Sequence, residues 1–349
     1  MIEHKGINYD VGTVMGGNWR PDYNPQIVER ELEIIKKDLH CNAVGISGKD
    51  IGRVMLTAEV ALNLGLEAWL NPADWNNRTP DFTLNYIIEA AKAAQPLYKH
   101  YPDKVVFSIG SEFTLFMQSI VPGKTIQQRL QAAFSKGYVK SGNHNKPLND
   151  FLGRASKEVR AVFDGQIIYR SLVWEQVDWS PFDMIGVDHY WAERISDKYE
   201  DMVKPLFAYG KRVINTGFGF STTTAPANGL ASTLGNVSGL SVLLHQQPFI
   251  GRFIQPKLNV INERSESLQA KRLIDNLKLV DEVGFNGAFI DMFIFPIRPY
   301  NDTPQYDLDR ESSSLVKYFE GGRHGITYPD MAWEPKEAFH AVTNYYENS

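Results

Sequence analysis

The sequence VVFSIGSE at residues 105–112 is a mostly apolar run that is closed by one ionisable side chain, Glu112. A short run rich in β-branched and aromatic residues predicts a buried strand. In parallel α/β folds the reactive groups emerge at the carboxyl ends of the strands. This stretch therefore predicts one strand and one candidate acid.

Seven further apolar runs alternate with longer segments of helical period. They lie at residues 6–9, 42–47, 66–71, 166–169, 184–188, 212–216 and 287–291. Eight such units favour a closed (β/α)8 TIM barrel over a doubly wound sheet, which typically has fewer strands. Asn24 and Pro25 are suited to begin the first helix, and Pro96 predicts a kink or an end in the third.

The chain of 349 residues, 43% of them hydrophobic, fits one barrel domain spanning residues 1–349 with insertions. The segment 218–264 is rich in Ser, Thr, Gly and Asn and poor in charge. We interpret it as a long insertion after the seventh strand that forms a lid or a substrate wall over the barrel mouth. The alternative is a structural excursion without a role in the site.

The charge and the single cysteine exclude several classes of protein. The formal net charge is -5, with 36 basic and 41 acidic residues interspersed, so no basic stripe predicts a nucleic-acid partner. Cys41 cannot form an intrachain disulfide, and its apolar neighbours predict a core position. Without a signal-like or membrane-length apolar stretch, we expect a cytoplasmic protein with no membrane contact, unless an export signal has been removed. The oligomeric state stays open.

The residues that close the apolar runs are polar or aromatic. The candidate substrate-binding residues are Tyr9, Asp10, Asn71, Trp174, Glu175, His189, Tyr190 and Gly217, and the candidate catalytic residues are Glu112, Asp188 and Asp291. Aromatic faces can cover the apolar side of a sugar ring while carboxylates and amides bond its hydroxyls. The expected partner is therefore a small-molecule or oligosaccharide substrate.

Each candidate has a structural alternative. Glu112 at a strand end is partly buried, which raises a carboxyl pKa and suits a general acid, but a rim ion pair explains the position equally well. The same reasoning applies to Asp188, whereas Asp10 and Asp291 could be caps or loop anchors. Glu175 could form a loop salt bridge. His189 lacks a second histidine at ligand spacing, so no metal site is predicted, and no glycine pattern indicates a nucleotide cofactor.

Five segments carry a resemblance to a known family. They are KGINYDVG at 5–12, DLHCNAV at 38–44, WEQVDWSPFD at 174–183, GVD at 186–188 and AWEPK at 332–336. Together they resemble bacterial abortive infection proteins, which look like TIM barrels of the large retaining-glycosidase superfamily of the clan A type. The resemblance extends over nearly the whole chain, although the name of that group says little about chemistry.

The resemblance implies that Glu112 is the acid/base glutamate of the fourth strand. The nucleophile glutamate of that superfamily closes the seventh strand, commonly in Thr-Glu-Phe-Gly, where this chain has TGFG at 216–219, so Gly217 replaces it. The relatives also tend to carry a supporting arginine where this chain has Gly45. The loss of both the glutamate and the arginine fits a natural divergence better than one deliberate substitution, because an arginine that has lost its carboxylate partner is an uncompensated charge. Because Gly217 and Gly45 are both small, we also expect empty volume in the barrel mouth.

Several mechanisms stay open without that nucleophile. Retaining hydrolysis needs two carboxyls about 5–5.5 Å apart, whereas an inverting reaction with Asp188 or Asp291 needs about 6.5–9.5 Å. The substrate could also supply its own nucleophile. We favour a diverged glycosidase-like enzyme with Glu112 as general acid on a glycoside or a similar polyoxygenated molecule. The alternatives are an acid-driven cyclase, lyase or isomerase on a non-sugar substrate, and a non-catalytic carbohydrate-binding protein.

Overall fold

The computed structural model describes residues 2–12, 20, 23–76, 78–135, 137–229, 236–245, 247, 249 and 253–348, with only the backbone of Leu243. Eight parallel strands close into a barrel in chain order. They are β1 (His4–Asp10), β2 (Ala43–Gly48), β3 (Glu67–Pro72), β4 (Val105–Ser111), β5 (Gln166–Leu172), β6 (Ile185–Asp188), β7 (Val213–Phe218) and β8 (Gly287–Ile290). The predicted TIM barrel is confirmed.

Helices connect the strands and cover the outside of the barrel. They are α1 (Pro25–Lys37), α2 (Ile51–Asn63), α3 (Pro80–His100), α4 (Phe113–Phe116), α5 (Ile126–Leu130), α6 (Asn145–Arg160), α7 (Tyr199–Phe207), α8 (Gly239–His245), α9 (Glu266–Val283) and α10 (Glu337–Glu347). The predicted start of α1 is confirmed, since the Asn24 side chain accepts from the Gln26 amide and Pro25 follows. A small antiparallel pair, β9 (Val316–Tyr318) and β10 (Trp333–Pro335), precedes α10.

The interior of the barrel is filled by side chains from alternate positions of the strands. A separate buried cluster of Ala43, Trp69, Val106, Ile168, Met184, Ile214 and Phe289 occupies it. The opposite faces of the same strands join the larger core beneath the helices, which also contains the buried Cys41. The barrel is therefore a packed body whose reactive groups can only lie at an end.

Of the two effects predicted for Pro96, an end of α3 is wrong, because the helix continues through it to His100, and a kink stays a prediction. A proline inside a helix leaves the carbonyl four residues earlier, here that of Lys92, without its partner. Pro96 and Lys92 are both exposed, so water can bond that carbonyl. The cost of the proline is thus reduced at the surface end of the helix.

Two bulges, one in β4 and one in β7, shift the register and deform the barrel on the side of the candidate site. Between the pairs Ser108–Ile168 and Ser111–Arg170, β4 contains one residue more than β5. Between Val187–Asn215 and Asp188–Gly217, β7 contains one residue more than β6. Such bulges redirect the side chains that follow them and are frequent beside active sites. The bulge in β4 directly precedes Glu112, and the bulge in β7 places Gly217 opposite Asp188.

The insertion 218–264 is attached to loops at the carboxyl ends of the strands. Its residue Asn228 pairs with Ala192 beyond β6, and the Leu258 amide donates to the Gln305 carbonyl beyond β8. Residues 230–235, 246, 248 and 250–252 lie outside the described residues. A lid over the mouth stays an expectation. Within the described ranges, no helix combines the length and the apolar character needed to cross a bilayer.

Candidate active site at the barrel mouth

Glu112 lies directly after the β4 bulge and is 6% exposed. Its backbone is left-handed, with φ 50° and ψ 40°, and its amide donates to the Arg170 carbonyl at 3.0 Å. A residue other than glycine pays a conformational cost in this region, and such strain clusters at functional sites. The strained turn directs Glu112 across the mouth instead of along the strand.

The Glu112 carboxyl makes a side-chain hydrogen bond with the Asp188 carboxyl. Burial raises the pKa of Glu112 well above its usual value, and the charges of Asp188 and Glu175 raise it further, against the opposing effect of Arg170. Two carboxylates in contact cannot both be ionised without a large cost, so the pair shares one proton.

The surroundings of Asp188 determine which carboxyl keeps that proton. Its Oδ1 accepts from Thr216 Oγ1 at 2.7 Å and lies 3.2 Å from Arg170 Nη2. Donors and a guanidinium favour the ionised form of a carboxyl. Asp188 is therefore the carboxylate of the pair, and Glu112 holds the proton.

Arg170 is a site residue that the sequence reasoning missed. It lies on β5, and its Nη2 also donates to the Thr216 carbonyl at 2.6 Å. The prediction ended this strand at Tyr169, one residue too early. The sequence contained a signal for Arg170. Side chains along a strand alternate between its two faces, and Ile168 fills the barrel interior. Residue 170, two positions further, must therefore point the same way.

The predicted empty volume is absent beside Gly217, whereas beside Gly45 it is limited to a small interior cavity. A Cβ at residue 217 would lie 2.8 Å from Asp188 Oδ1 and 3.3 Å from Arg170 Nη2. A Cβ at residue 45 would collide with Asn8 Oδ1. The interior beneath holds only a small cavity of about 20 Å³. The site thus contains an arginine and a carboxylate beside Gly217, supplied by β5 and β6.

Asp291 and Tyr190, both half-buried, form a second group at the mouth. The Tyr190 hydroxyl donates to Asp291 Oδ2 at 2.6 Å. Burial raises the pKa of Asp291, while the Tyr190 hydrogen bond and the Arg170 charge oppose the rise. Asp10 interacts electrostatically with Asp291 and accepts from the Gly12 amide at 2.8 Å; burial raises its pKa to about 8. These carboxyls share their surroundings with the Glu112 pair.

Glu175 is buried and has several donors. It accepts from the Leu172 amide at 2.9 Å and from the Tyr169 hydroxyl at 3.0 Å, as well as from the amide and hydroxyl of Thr114. Burial raises its pKa to about 7 despite these donors. Because Thr114 lies two residues beyond Glu112, Glu175 fixes the turn that carries the acid.

The other predicted residues are divided between two faces. The Tyr9 hydroxyl bonds Glu31 and Arg20 beneath α1, and His189 stacks on Tyr199 at 3.9 Å beside α7. Both lie on the outer face of the strands, so the structure does not bring them to Glu112. Asn71 lines the small interior cavity, and Trp174 packs between the rings of Phe134 and His144.

The assembled site has three carboxyls and one guanidinium: Glu112, Asp188, Asp291 and Arg170. Within the described ranges, no three His, Cys, Asp or Glu side chains are placed to hold a metal ion. The arrangement offers a proton donor on Glu112 and a fixed negative charge on Asp188. This is the chemistry needed to protonate an oxygen and to stabilise a cation beside it.

No protein-family model matches the chain, and no curated protein sequence matches it. Several solved structures match it in fold. A GH113 β-1,4-mannanase superposes with a TM-score of 0.60 and 12% identity over 100% of both chains. The GH113 β-mannanase from Alicyclobacillus acidocaldarius, in complex with ManMIm, gives 0.57 and 13% over 100% of this chain and 98% of that one. A β-glucuronidase from Ruminococcus gnavus gives 0.56 and 14% over 99% of this chain and 49% of that one. At 12–14% identity, these likenesses show that the chain has the same barrel fold as these structures.

Proposed function

We propose that this protein is a diverged glycosidase-like enzyme that uses Glu112 as its general acid and has no nucleophile at residue 217. The observation that carries the proposal is the Glu112–Asp188 pair beneath Arg170. A buried carboxyl that keeps its proton near neutral pH is the group that acid-assisted departure of an alcohol requires. The likeness of the fold to β-mannanases supports a sugar substrate, and a β-1,4-linked mannoside is the first to test.

In the proposed reaction the bond between the anomeric carbon and the glycosidic oxygen breaks as Glu112 gives its proton to that oxygen. Positive charge develops on the sugar ring and faces the Asp188 carboxylate, which Arg170 and Thr216 hold in place. A water molecule then adds to the anomeric carbon and transfers its proton to a carboxylate. We assign this role to Asp291, because Asp188 Oδ1 already has two donors, Thr216 and Arg170.

The test is turnover of β-1,4-mannohexaose by Glu112→Gln. We expect kcat to fall roughly 10²–10⁴-fold with an unchanged circular-dichroism spectrum, because glutamine keeps the shape and loses the proton. Glu158→Gln, an exposed glutamate on α6, is the matched control and should retain activity. Undiminished turnover by Glu112→Gln would remove this residue from the mechanism. Binding without turnover in the wild type would instead indicate a non-catalytic carbohydrate-binding protein.

A further inference from the structure

A cleft of about 690 Å³ lies outside the site of Glu112 and shares none of its residues. One wall comes from the insertion 218–264, through His245 and residues 254–256, and the other from the loop beyond β8 and the turn beyond β9. Ligand pockets in proteins commonly have volumes of about 300–1,000 Å³. The cleft is thus large enough for a ligand of several rings.

The second wall of the cleft contains Tyr300 and Arg323, with the buried Phe319 ring beneath Arg323. The Tyr300 and Phe319 rings meet edge to face with their centroids 5.8 Å apart. The Arg323 guanidinium lies 4.2 Å from the Phe319 centroid and 5.6 Å from that of Tyr300. Tyr306 and Pro299 line the same cleft. Flat apolar faces beside polar edges are suited to sugar rings, which have an apolar face and a rim of hydroxyls.

A buried ion network holds this wall in place. The Arg264 guanidinium lies 5.1 Å from the Tyr300 ring and bridges Asp307 at 3.1 Å and Asp309 at 2.8 Å. Asp309 also pairs with the fully buried Lys336 at 2.8 Å. Because these charges are paired away from solvent, the wall is ordered before a ligand arrives, which reduces the entropic cost of binding.

The charges that line the cleft do not favour an anionic ligand. Arg323 is paired with Asp302 at 3.5 Å, and Glu320 adds a further negative group. An anion would meet an occupied guanidinium and two carboxylates. The other polar groups are the amides of Asn301 and Gln255, the hydroxyls of Tyr300 and Tyr306, and His245, all of which can bond neutral hydroxyls. This composition fits a neutral, polyhydroxylated ligand.

We infer that this cleft is a second carbohydrate site, which binds a neutral oligosaccharide by stacking on Tyr300 and on the exposed Arg323 guanidinium that covers Phe319. The choice of a glycan rests in part on the proposed function. Tyr300 lies in the same loop as Asp291, nine residues further along the chain. A glycan held in the cleft therefore contacts the loop that carries the proposed base.

The test is calorimetric titration of β-1,4-mannohexaose and hexagalacturonate into the Glu112→Gln protein, in which turnover is suppressed. We expect Tyr300→Ala to weaken mannohexaose binding by roughly tenfold and Arg323→Ala by several-fold. Arg323 is about half exposed, so its variant folds even if Tyr300→Ala does not. The matched control is Tyr209→Ala, an exposed tyrosine beyond α7, which should bind as the parent does.

The outcomes separate this inference from the proposed function. Absence of mannohexaose binding, binding unchanged by both cleft variants, or tighter binding of hexagalacturonate would each overturn the second site, whatever Glu112 does. Tyr300-dependent binding together with undiminished turnover by Glu112→Gln would support the second site while the proposed mechanism fails.

Discussion

Gly217 lies where neighbouring side chains leave no room for a larger residue. The space beside its Cα is occupied by the Asp188 carboxylate and the Arg170 guanidinium. Asp188 is anchored by Thr216 and Arg170, so it cannot move away cheaply. The glycine is therefore required by the present position of the carboxylate, because any larger residue would displace it.

Gly217→Ala should consequently lower both stability and turnover. Its Cβ would lie 2.8 Å from Asp188 Oδ1, and forcing the anchored carboxylate aside should cost about 1–3 kcal/mol. Thermal unfolding and the rate on mannohexaose measure the two effects. Gly153→Ala on α6, where a Cβ meets nothing within 4 Å, is the control and should be neutral or stabilising. A Gly217→Ala protein as stable and active as the parent would contradict the arrangement.

The elements of the barrel were predictable from the sequence, whereas the side chains that meet at its mouth were only partly so. All eight strands were found because each is a short apolar run bounded by polar residues. The bulges in β4 and β7 leave no comparable mark in composition. Arg170 was missed because the predicted strand ended at Tyr169, and Tyr9 and His189 belong to the outer face of their strands. Side chains along a strand point alternately into and out of the barrel. Applying this rule to the last residues of each strand would have shown which side chains face the interior and which face the helices.

The turn after β4, which carries Glu112, can be tested through the residue that supports it. Glu175 supports this turn, and its charge raises the pKa of Glu112. Glu175→Gln should therefore lower that pKa. Because a general acid must be protonated, activity would then be lost at lower pH as the pH rises. The variant should also lose about 1–3 kcal/mol of stability, since one acceptor becomes a donor.

The measurement is the pH dependence of kcat/KM for mannohexaose, with Glu158→Gln as the control. If the alkaline limb of this pH profile moves to higher pH in Glu175→Gln, or does not move, then Glu175 does not raise the pKa of Glu112 through its charge.

At the scale of the whole molecule, the buried carboxyls with raised pKa values should make stability fall as the medium becomes alkaline. The pKa of Asp10 rises from 3.8 to about 8, so between these values the folded state binds more protons than the unfolded state. The contribution of Asp10 to the free energy of unfolding is therefore complete below pH 3.8, and it is lost as the pH rises through about 8. Glu175, whose pKa is about 7, acts in the same direction.

Asp10→Asn should accordingly stabilise the protein more at pH 8 than at pH 5. Asparagine can still accept from the Gly12 amide and has no charge to bury, so we expect a gain of about 1–3 kcal/mol at the higher pH. Urea unfolding at the two pH values measures the difference. Asp150→Asn, an exposed aspartate on α6, should give equal changes at both pH values. An Asp10→Asn effect independent of pH would rule out a buried, neutral Asp10.

The central claim is that Glu112 keeps a proton that it shares with the Asp188 carboxylate. Carbon-13 NMR titration of the side-chain carboxyl carbons, with Glu112 assigned by its absence in Glu112→Gln, tests it directly. We expect the Glu112 signal to be that of a protonated acid at pH 7. A Glu112 that titrates alone near its usual value of 4.5 would contradict the account.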